Sequence, residues 1–102
     1  MEIRETLHNK TGIRPNVLEE IGRFAERYGL QRVILFGSRA RGDYRRTSDI
    51  DLAVVGGDTA RFSLDVEEES STLLKYDIVD LNMPVQSDLK EAIEKEGIVL
   101  YG

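Results

Sequence analysis

The sequence contains no cysteine, and its longest apolar runs, such as residues 33–36, are short. The absence of cysteine excludes disulfide bonds and thiolate metal sites. A membrane-spanning helix needs about 20 apolar residues, so the short runs exclude a span of that kind. The amino-terminal segment MEIRETLHNK is polar and of mixed charge, unlike a secretory signal, and we therefore expect a cytoplasmic protein with no membrane association.

The sequence also lacks the excess of positive charge that a general nucleic-acid binder needs. The 102 residues carry a formal net charge of −5, whereas binding to nucleic-acid phosphates usually requires a basic surface. Hydrophobic residues make up 40% and charged residues 32% of the chain, which is typical of a globular protein. The length fits one small domain, which we place at residues 14–102, after an amino-terminal arm over residues 1–13 that shows no clear period.

Apolar residues that recur at three- and four-residue steps predict helices in several parts of the chain. One helix begins near Pro15, a residue suited to a first helical turn, and ends at Gly29. A second covers residues 60–75, and its expected buried side chains are Phe62, Val66, Leu73 and Leu74. A third begins near Ser87 or Asp88, either of which is a suitable N-cap.

Short apolar segments with β-branched residues predict strands at residues 32–36, 49–55 and 76–82, and a short last strand at residues 98–101. Strands that alternate with helices are typical of an α/β (α+β) domain. We therefore predict a mixed sheet of three or four strands, with the helices mostly on one face. The order of the strands does not follow from the sequence.

The segment GSRARGDYRRTSDID, residues 37–51, begins with Gly37-Ser38 directly after a predicted strand. A strand that ends in such a turn and enters a helix presents free backbone N–H groups, which favour an anion. Arg39 or Arg41 can add charge-assisted hydrogen bonds to a phosphate. The alternative interpretation is an ordinary helix start followed by solvated arginines. A Walker A loop is excluded, because no lysine lies between residues 11 and 74.

Two aspartates, Asp49 and Asp51, lie at the start of the second predicted strand. Their spacing places both side chains on one face of the strand. Neighbouring carboxylates raise each other's pKa unless a cation neutralises them, and oxygen ligands without cysteine or histidine favour Mg²⁺ or Mn²⁺. A third carboxylate in the next strand, Asp77 or Asp80, would complete a site of the kind that binds two metal ions in phosphoryl transfer. The alternative interpretation of Asp49 and Asp51 is structural: a polar segment that precedes a strand, with Asp51 near the edge of the sheet.

Together these features form the pattern G-S-x10-D-x-D, from Gly37-Ser38 to Asp49-x-Asp51. The pattern resembles that of the polymerase-beta-like nucleotidyltransferase superfamily. The segment LFGSRARGDYRRTSDIDLAV is similar to sequences of the minimal nucleotidyltransferase (MNT) group, which is related to kanamycin nucleotidyltransferase. The resemblance covers most of the chain, from the first predicted helix through the third predicted strand.

The resemblance implies a role for each matching residue. The nucleotide-binding residues it implies are Gly37, Ser38, Arg39 and Arg41. The metal-ligating and catalytic residues it implies are Asp49, Asp51 and Asp77. Asp80 remains the alternative to Asp77, because the periodicity of the strand does not by itself choose between them. Two Mg²⁺ ions (or Mn²⁺) and ATP are the implied cofactor and substrate.

Enzymes of this superfamily transfer a nucleoside monophosphate from a nucleoside triphosphate to a hydroxyl group and release pyrophosphate. MNT proteins are commonly paired with a HEPN-domain toxin, and the resemblance implies an antitoxin that adenylylates such a partner protein. The acceptor site would come from that partner or from a second copy of this chain, as a homo-oligomer. Two alternatives are an antitoxin that masks its HEPN partner with little catalysis and a small-molecule nucleotidyltransferase. The presence of both halves of the motif favours an active enzyme.

Overall fold

A computed structural model describes residues 3–102, with side chains from Thr6 onward. In chain order the elements are α1 (Ile3–Thr11), α2 (Pro15–Arg27), β1 (Arg32–Phe36), α3 (Gly37–Arg41), β2 (Ile50–Val55), α4 (Thr59–Glu69), β3 (Tyr76–Asp80), α5 (Ser87–Glu96) and β4 (Ile98–Tyr101). None of the helices within this described part is long and apolar enough to cross a membrane.

The four strands form one sheet in the order β3-β2-β1-β4. Strand β1 pairs antiparallel with both β2 and β4, and β2 pairs parallel with β3. The mixed sheet predicted from the sequence is therefore confirmed. The parallel register places Asp51 opposite Asp77 and Val54 opposite Asp80, so the two candidates for the third carboxylate lie at different ends of β3.

Two apolar layers cover the sheet. The larger core joins strand residues such as Leu35 and Leu52 to Ile21 of α2 and Phe62 of α4. On the other face, Ile93 of α5 packs with two strand residues, Phe36 and Ala53. The predicted placement of the helices, mostly on one face, is confirmed, and α5 is the helix that occupies the other face.

Helix α4 is shorter than the sequence predicts. It ends at Glu69, and residues 70–75 form a loop in which Leu73 is fully exposed. The prediction that Leu73 is buried in the helix is wrong, while Leu74 packs partly buried against the larger core. The backbone N–H groups of Thr72 and Leu74 donate to the hydroxyls of Ser70 and Thr72, local bonds by which serine and threonine compete with helical hydrogen bonding. The backbone N–H and hydroxyl of Ser71 donate to the carboxylate of Glu20.

The amino-terminal arm contains a helix that its sequence does not indicate, α1. The Thr11 hydroxyl donates to the carbonyl oxygen of Leu7 and accepts a hydrogen bond from the backbone N–H of Ile13. Gly12 has a φ of +72°, and a side chain there would overlap the ring of Tyr44. This turn seats Ile13 in the core with 1% of its surface exposed. Met1 and Glu2 lie outside the described residues.

Candidate active site

The Gly37-Ser38 turn lies where β1 runs into α3. Gly37 has a φ of +74°, a conformation that favours glycine, and it begins the five-residue helix α3. A Cβ atom at this position would overlap Oδ2 of Asp51. Any larger residue would therefore disturb Asp51 as well as the turn. The two halves of the motif are in direct proximity, as the sequence predicts for a single site.

The three predicted carboxylates, Asp49, Asp51 and Asp77, lie at the adjacent ends of β2 and β3. Asp51 is half-buried and pairs in register with Asp77, whereas Asp49 and Asp77 are exposed. Burial raises the pKa of Asp51 to about 6, and the negative charges of Asp77 and Asp49 add to the increase. The side chains of Arg41 and Arg39 act on this pKa in the opposite direction. The tertiary structure thus brings the predicted carboxylates into one interacting group.

Asp80, the alternative third carboxylate, has a different environment. Its carboxylate accepts hydrogen bonds from the Thr59 hydroxyl at 3.0 Å and from the backbone N–H of Asn82 at 2.9 Å. These hydrogen bonds, first of all the one from the Asn82 backbone, lower the pKa of Asp80. Asp80 therefore links the end of β3 to the start of α4 through a hydrogen bond. It pairs in register with Val54 rather than with Asp51.

Arg39, predicted as a nucleotide ligand, is buried with 2% of its surface exposed. Each of its three guanidinium nitrogens donates to a backbone carbonyl, and the acceptors are Ser48, Thr11 and Arg46 at 3.0, 2.9 and 3.1 Å. The guanidinium also lies 4.9 Å from the centre of the Tyr44 ring, and burial lowers its pKa. Three of the five guanidinium N–H groups thus link the end of α1 to the loop between the motif halves. The role of Arg39 as a nucleotide ligand stays a prediction.

Arg41, the other predicted arginine, remains at the surface. Its guanidinium donates to Glu96 of α5 at 3.0 Å and to Asp43 at 3.2 Å, and 45% of the side chain is exposed. Exposed ion pairs of this kind contribute little to stability. Arg41 can therefore exchange these partners for a phosphate at little cost, and its charge already acts on the carboxylate of Asp51.

The donor set has the chemistry of a divalent-cation site. Across residues 3–102, no group of three or more histidine, cysteine, aspartate or glutamate side chains has an arrangement that could hold a metal ion. Burial is nevertheless joined by the negative charge of two neighbouring carboxylates in raising the pKa of Asp51. A hard cation would relieve that repulsion, and carboxylate oxygens are the ligands that Mg²⁺ prefers. The residues present therefore fit such a cation chemically.

The raised pKa of Asp51 predicts how stability depends on pH in metal-free buffer. The folded chain holds the Asp51 proton up to a pH of about 6, whereas the ordinary pKa is 3.8. Between these values the folded state binds more protons than the unfolded state, so this group's contribution to stability falls as the pH rises. Thermal unfolding in EDTA across this range should show the decline in the parent protein and a smaller one in Asp51→Asn. Equal pH dependence in the two proteins would contradict the assignment.

The sequence did not indicate a groove that opens beside Asp49. Its walls come from residues 12–17, 46–50 and 71–75, which are far apart in the chain. The loop at residues 71–75 was predicted as part of a helix, so this wall of the groove was not expected. The hydroxyl residues of the segment SSTLLK interrupt the helical pattern, and this interruption is the sequence signal that could have indicated the loop.

The sheet topology, with a Gly-Ser turn packed against strand-borne aspartates, defines the class of protein as a nucleotidyltransferase. Comparison with known families gives the particular family, because residues 19–102 match the model described as "Polymerase beta, Nucleotidyltransferase". This chain belongs to the polymerase beta nucleotidyltransferase family.

Two curated relatives are named as protein adenylyltransferases. "Putative protein adenylyltransferase MJ0604" of Methanocaldococcus jannaschii is 42% identical over 82 residues, which cover 71% of this chain and 79% of that protein. "Protein adenylyltransferase MntA" of Shewanella oneidensis is 36% identical over 77 residues, which cover 72% of this chain and 55% of that protein. The chain thus matches only about half the length of MntA.

Solved structures share the fold. A crystal structure described as a toxin-antitoxin with AMP-PNP is similar with a TM-score of 0.68 at 26% identity, over 83% of this chain and 73% of that chain. A mutant of the toxin-antitoxin MntA-HpeT is similar with a TM-score of 0.62 at 26% identity, over 88% of this chain and 73% of that chain. The nucleotidyltransferase fold predicted from the sequence is confirmed.

Proposed function

We propose that this chain is a protein adenylyltransferase of the MNT group, which transfers AMP from ATP to a hydroxyl group of a partner protein in the cytoplasm. The observation that carries the proposal is the position of Asp51, which lies against Gly37 on one side and opposite Asp77 on the other. A phosphate-binding turn and a carboxylate group therefore meet at one point. The names of the two curated relatives support AMP as the transferred group.

The donor nucleotide occupies the β1 side of this site. Gly37 and Ser38 hold the phosphates through the backbone N–H groups of the turn, with the Ser38 hydroxyl as a further donor. Arg41 exchanges its surface ion pairs for a charge-assisted bond to a phosphate oxygen. Arg39 supports the loop behind this turn. A toxin-antitoxin of similar structure was crystallised with AMP-PNP, an ATP analogue.

The carboxylates would hold the divalent cations in this proposal. Asp49, Asp51 and Asp77 are the proposed ligands of two Mg²⁺ ions, with Mn²⁺ as the alternative. When bound, such cations would neutralise the charge of the triphosphate and lower the pKa of the acceptor hydroxyl. Asp77, on the outer strand, orients the acceptor so that its oxygen bonds to the α-phosphorus. The bond from that phosphorus to the pyrophosphate breaks, and the hydroxyl proton passes to a nearby carboxylate or to solvent.

The acceptor is a separate protein in this proposal. The similar solved structures are toxin-antitoxin complexes, which supports the role of antitoxin towards a HEPN-domain toxin. The test uses the protein encoded by the adjacent gene, co-purified with this chain and incubated with ATP and Mg²⁺. Label on the partner from α-labelled ATP, but not from γ-labelled ATP, is the expected result. A stable complex that acquires neither label would overturn transfer and favour masking.

The choice between Asp77 and Asp80 is tested with a matched pair of variants. Asp77→Asn should reduce AMP transfer by about a hundredfold or more, with little change in melting temperature, because it removes an exposed ligand. Asp80→Asn should keep transfer within a few-fold. It should lower the melting temperature by about 4–8 °C, because a hydrogen bond worth about 1 kcal/mol is lost from the link to Thr59 and Asn82. Initial rates and thermal unfolding measure both effects, and the reverse pattern would make Asp80 the ligand.

A further inference from the structure

The groove beside Asp49 has the size of a binding site. Its volume is about 1040 Å³, and it opens where the chain enters β2 and β3. One wall is the turn between α1 and α2, and the second is the end of the loop that joins the Gly37-Ser38 turn to Asp49. The third wall is the loop at residues 71–75. Because Asp49 is part of the lining, a molecule in the groove would contact the carboxylate group at Asp49.

The charge of the groove is opposite to that of the whole chain. Arg14, Arg46 and Lys75 line it with exposed side chains, and Asp49 is the acidic residue of the lining. The chain as a whole has a net charge of −5. Complementary charge steers partners and selects among them, so this local excess of positive charge favours an acidic partner.

The sheet order separates the groove from the Gly37-Ser38 turn. The Gly37-Ser38 turn is at the end of β1, and the order β3-β2-β1 puts β3 on the far side of β2 from that turn. The loop that forms the third wall leads directly into β3. The Gly37-Ser38 turn is not part of the lining, so a donor nucleotide held at that turn leaves room for a second molecule in the groove beside Asp49.

Hydrogen bonds hold the walls of the groove in place. The Glu20 carboxylate accepts from the Ser71 hydroxyl at 2.7 Å, and the hydroxyls of Ser70 and Tyr76 are 2.9 Å apart. Between these anchors Leu73 projects fully into solvent. The backbone carbonyl of Arg46, on the second wall, accepts from the buried guanidinium of Arg39. Walls that are already ordered reduce the entropy lost on binding.

We propose that this groove docks an acidic, hydroxyl-bearing segment of the acceptor protein. Carboxylates of the segment pair with Arg14, Arg46 and Lys75, and an apolar side chain of the segment contacts Leu73. This inference rests on the proposed function for the identity of the acceptor, and it adds the chemistry by which the acceptor is selected. The groove binds the segment whether or not nucleotide is present.

The test measures peptide binding without ATP. Two fluorescein-labelled peptides of equal length carry a central tyrosine and one leucine, flanked by glutamate and aspartate in one peptide and by lysine in the other. We expect the acidic peptide to bind about tenfold or more tightly than the basic one, with an affinity that falls as salt is added. The double variant Arg46→Glu, Lys75→Glu should lose this preference. Fluorescence anisotropy gives the dissociation constants.

A matched control reverses two exposed cations outside the groove, as Arg23→Glu with Lys90→Glu. This control should keep the preference for the acidic peptide, because its net charge changes equally while the groove does not. The proposal is overturned if the parent protein does not bind the acidic peptide more tightly than the basic one. It is also overturned if both double variants lose this preference to the same extent. A groove variant that weakens binding of Mg-ATP more than binding of the acidic peptide also overturns it, since the groove would then belong to the nucleotide. Absence of AMP transfer alone would overturn the proposed function. The inference that the groove binds an acidic segment would still stand, because it is measured without ATP.

Discussion

Asp51→Asn is expected to abolish AMP transfer, with a loss of about a thousandfold or more, while the protein remains folded. Asp51 is the carboxylate that touches both halves of the site, because it lies against Gly37 and opposite Asp77. The change to asparagine keeps the shape of the side chain and removes its charge. Transfer to the co-purified partner, measured with α-labelled ATP, gives the loss of rate.

The same variant should be more stable than the parent when metal is removed. Burial and two neighbouring carboxylates raise the pKa of Asp51 to about 6, so its ionised form destabilises the folded state near pH 7. After allowance for partial exposure to solvent, the gain is about 1 kcal/mol. Magnesium should raise the melting temperature of the parent but not of Asp51→Asn. Unfolding of the variant in EDTA would mean that the aspartate is structural and would refute its role as a metal ligand.

Arg39→Lys is expected to destabilise the protein by about 2–4 kcal/mol. The guanidinium donates to three backbone carbonyls that belong to Thr11, Arg46 and Ser48, and a lysine ammonium cannot reproduce this planar arrangement. The bond to Thr11 is buried and the other two are partly buried, and a buried carbonyl that loses its donor costs about 1–3 kcal/mol. Transfer should fall as well, because the loop that carries Asp49 loses its anchor. Chemical denaturation measures the change in the free energy of unfolding.

Arg41→Lys is the matched control for this variant. Arg41 forms its ion pairs with Glu96 and Asp43 at the surface, and such exposed pairs contribute little to stability. Its replacement should leave stability nearly unchanged while weakening ATP binding. If Arg39→Lys instead kept full stability and lost affinity for ATP, Arg39 would be a phosphate ligand, as the sequence motif suggested.

The strands and the main helix could be predicted because their signals are local. The apolar runs at residues 32–36 and 50–55 form β1 and β2, and the periodic segment after Pro15 forms α2. The spacing of Asp49 and Asp51 on a strand likewise depends only on backbone geometry. The Gly-Ser turn could be predicted for the same reason, since only its own residues and the preceding strand define it.

The errors arose where distant residues decide the local structure. Residues 70–75 were predicted to be helical, but the Glu20 carboxylate holds Ser71 in a loop across the fold. Helix α1 lacks a clear apolar period, and a hydrogen bond from Arg39 to the carbonyl of Thr11 adds to the local hydrogen bonds at its end. In each case a long-range hydrogen bond contributes to a local structure that the sequence pattern does not indicate.

The sequence by itself determined the elements of the proposed nucleotide site: a glycine-serine turn after a buried strand, two aspartates on one face of the next strand, and a third carboxylate in the strand that follows. Only the tertiary structure decided which residues meet. The parallel register of β2 and β3 places Asp77, and not Asp80, opposite Asp51. The folding of the loop around Arg39 turned a motif arginine into an internal anchor. These outcomes depend on strand order and side-chain burial, which arise from contacts between segments that are remote in the chain.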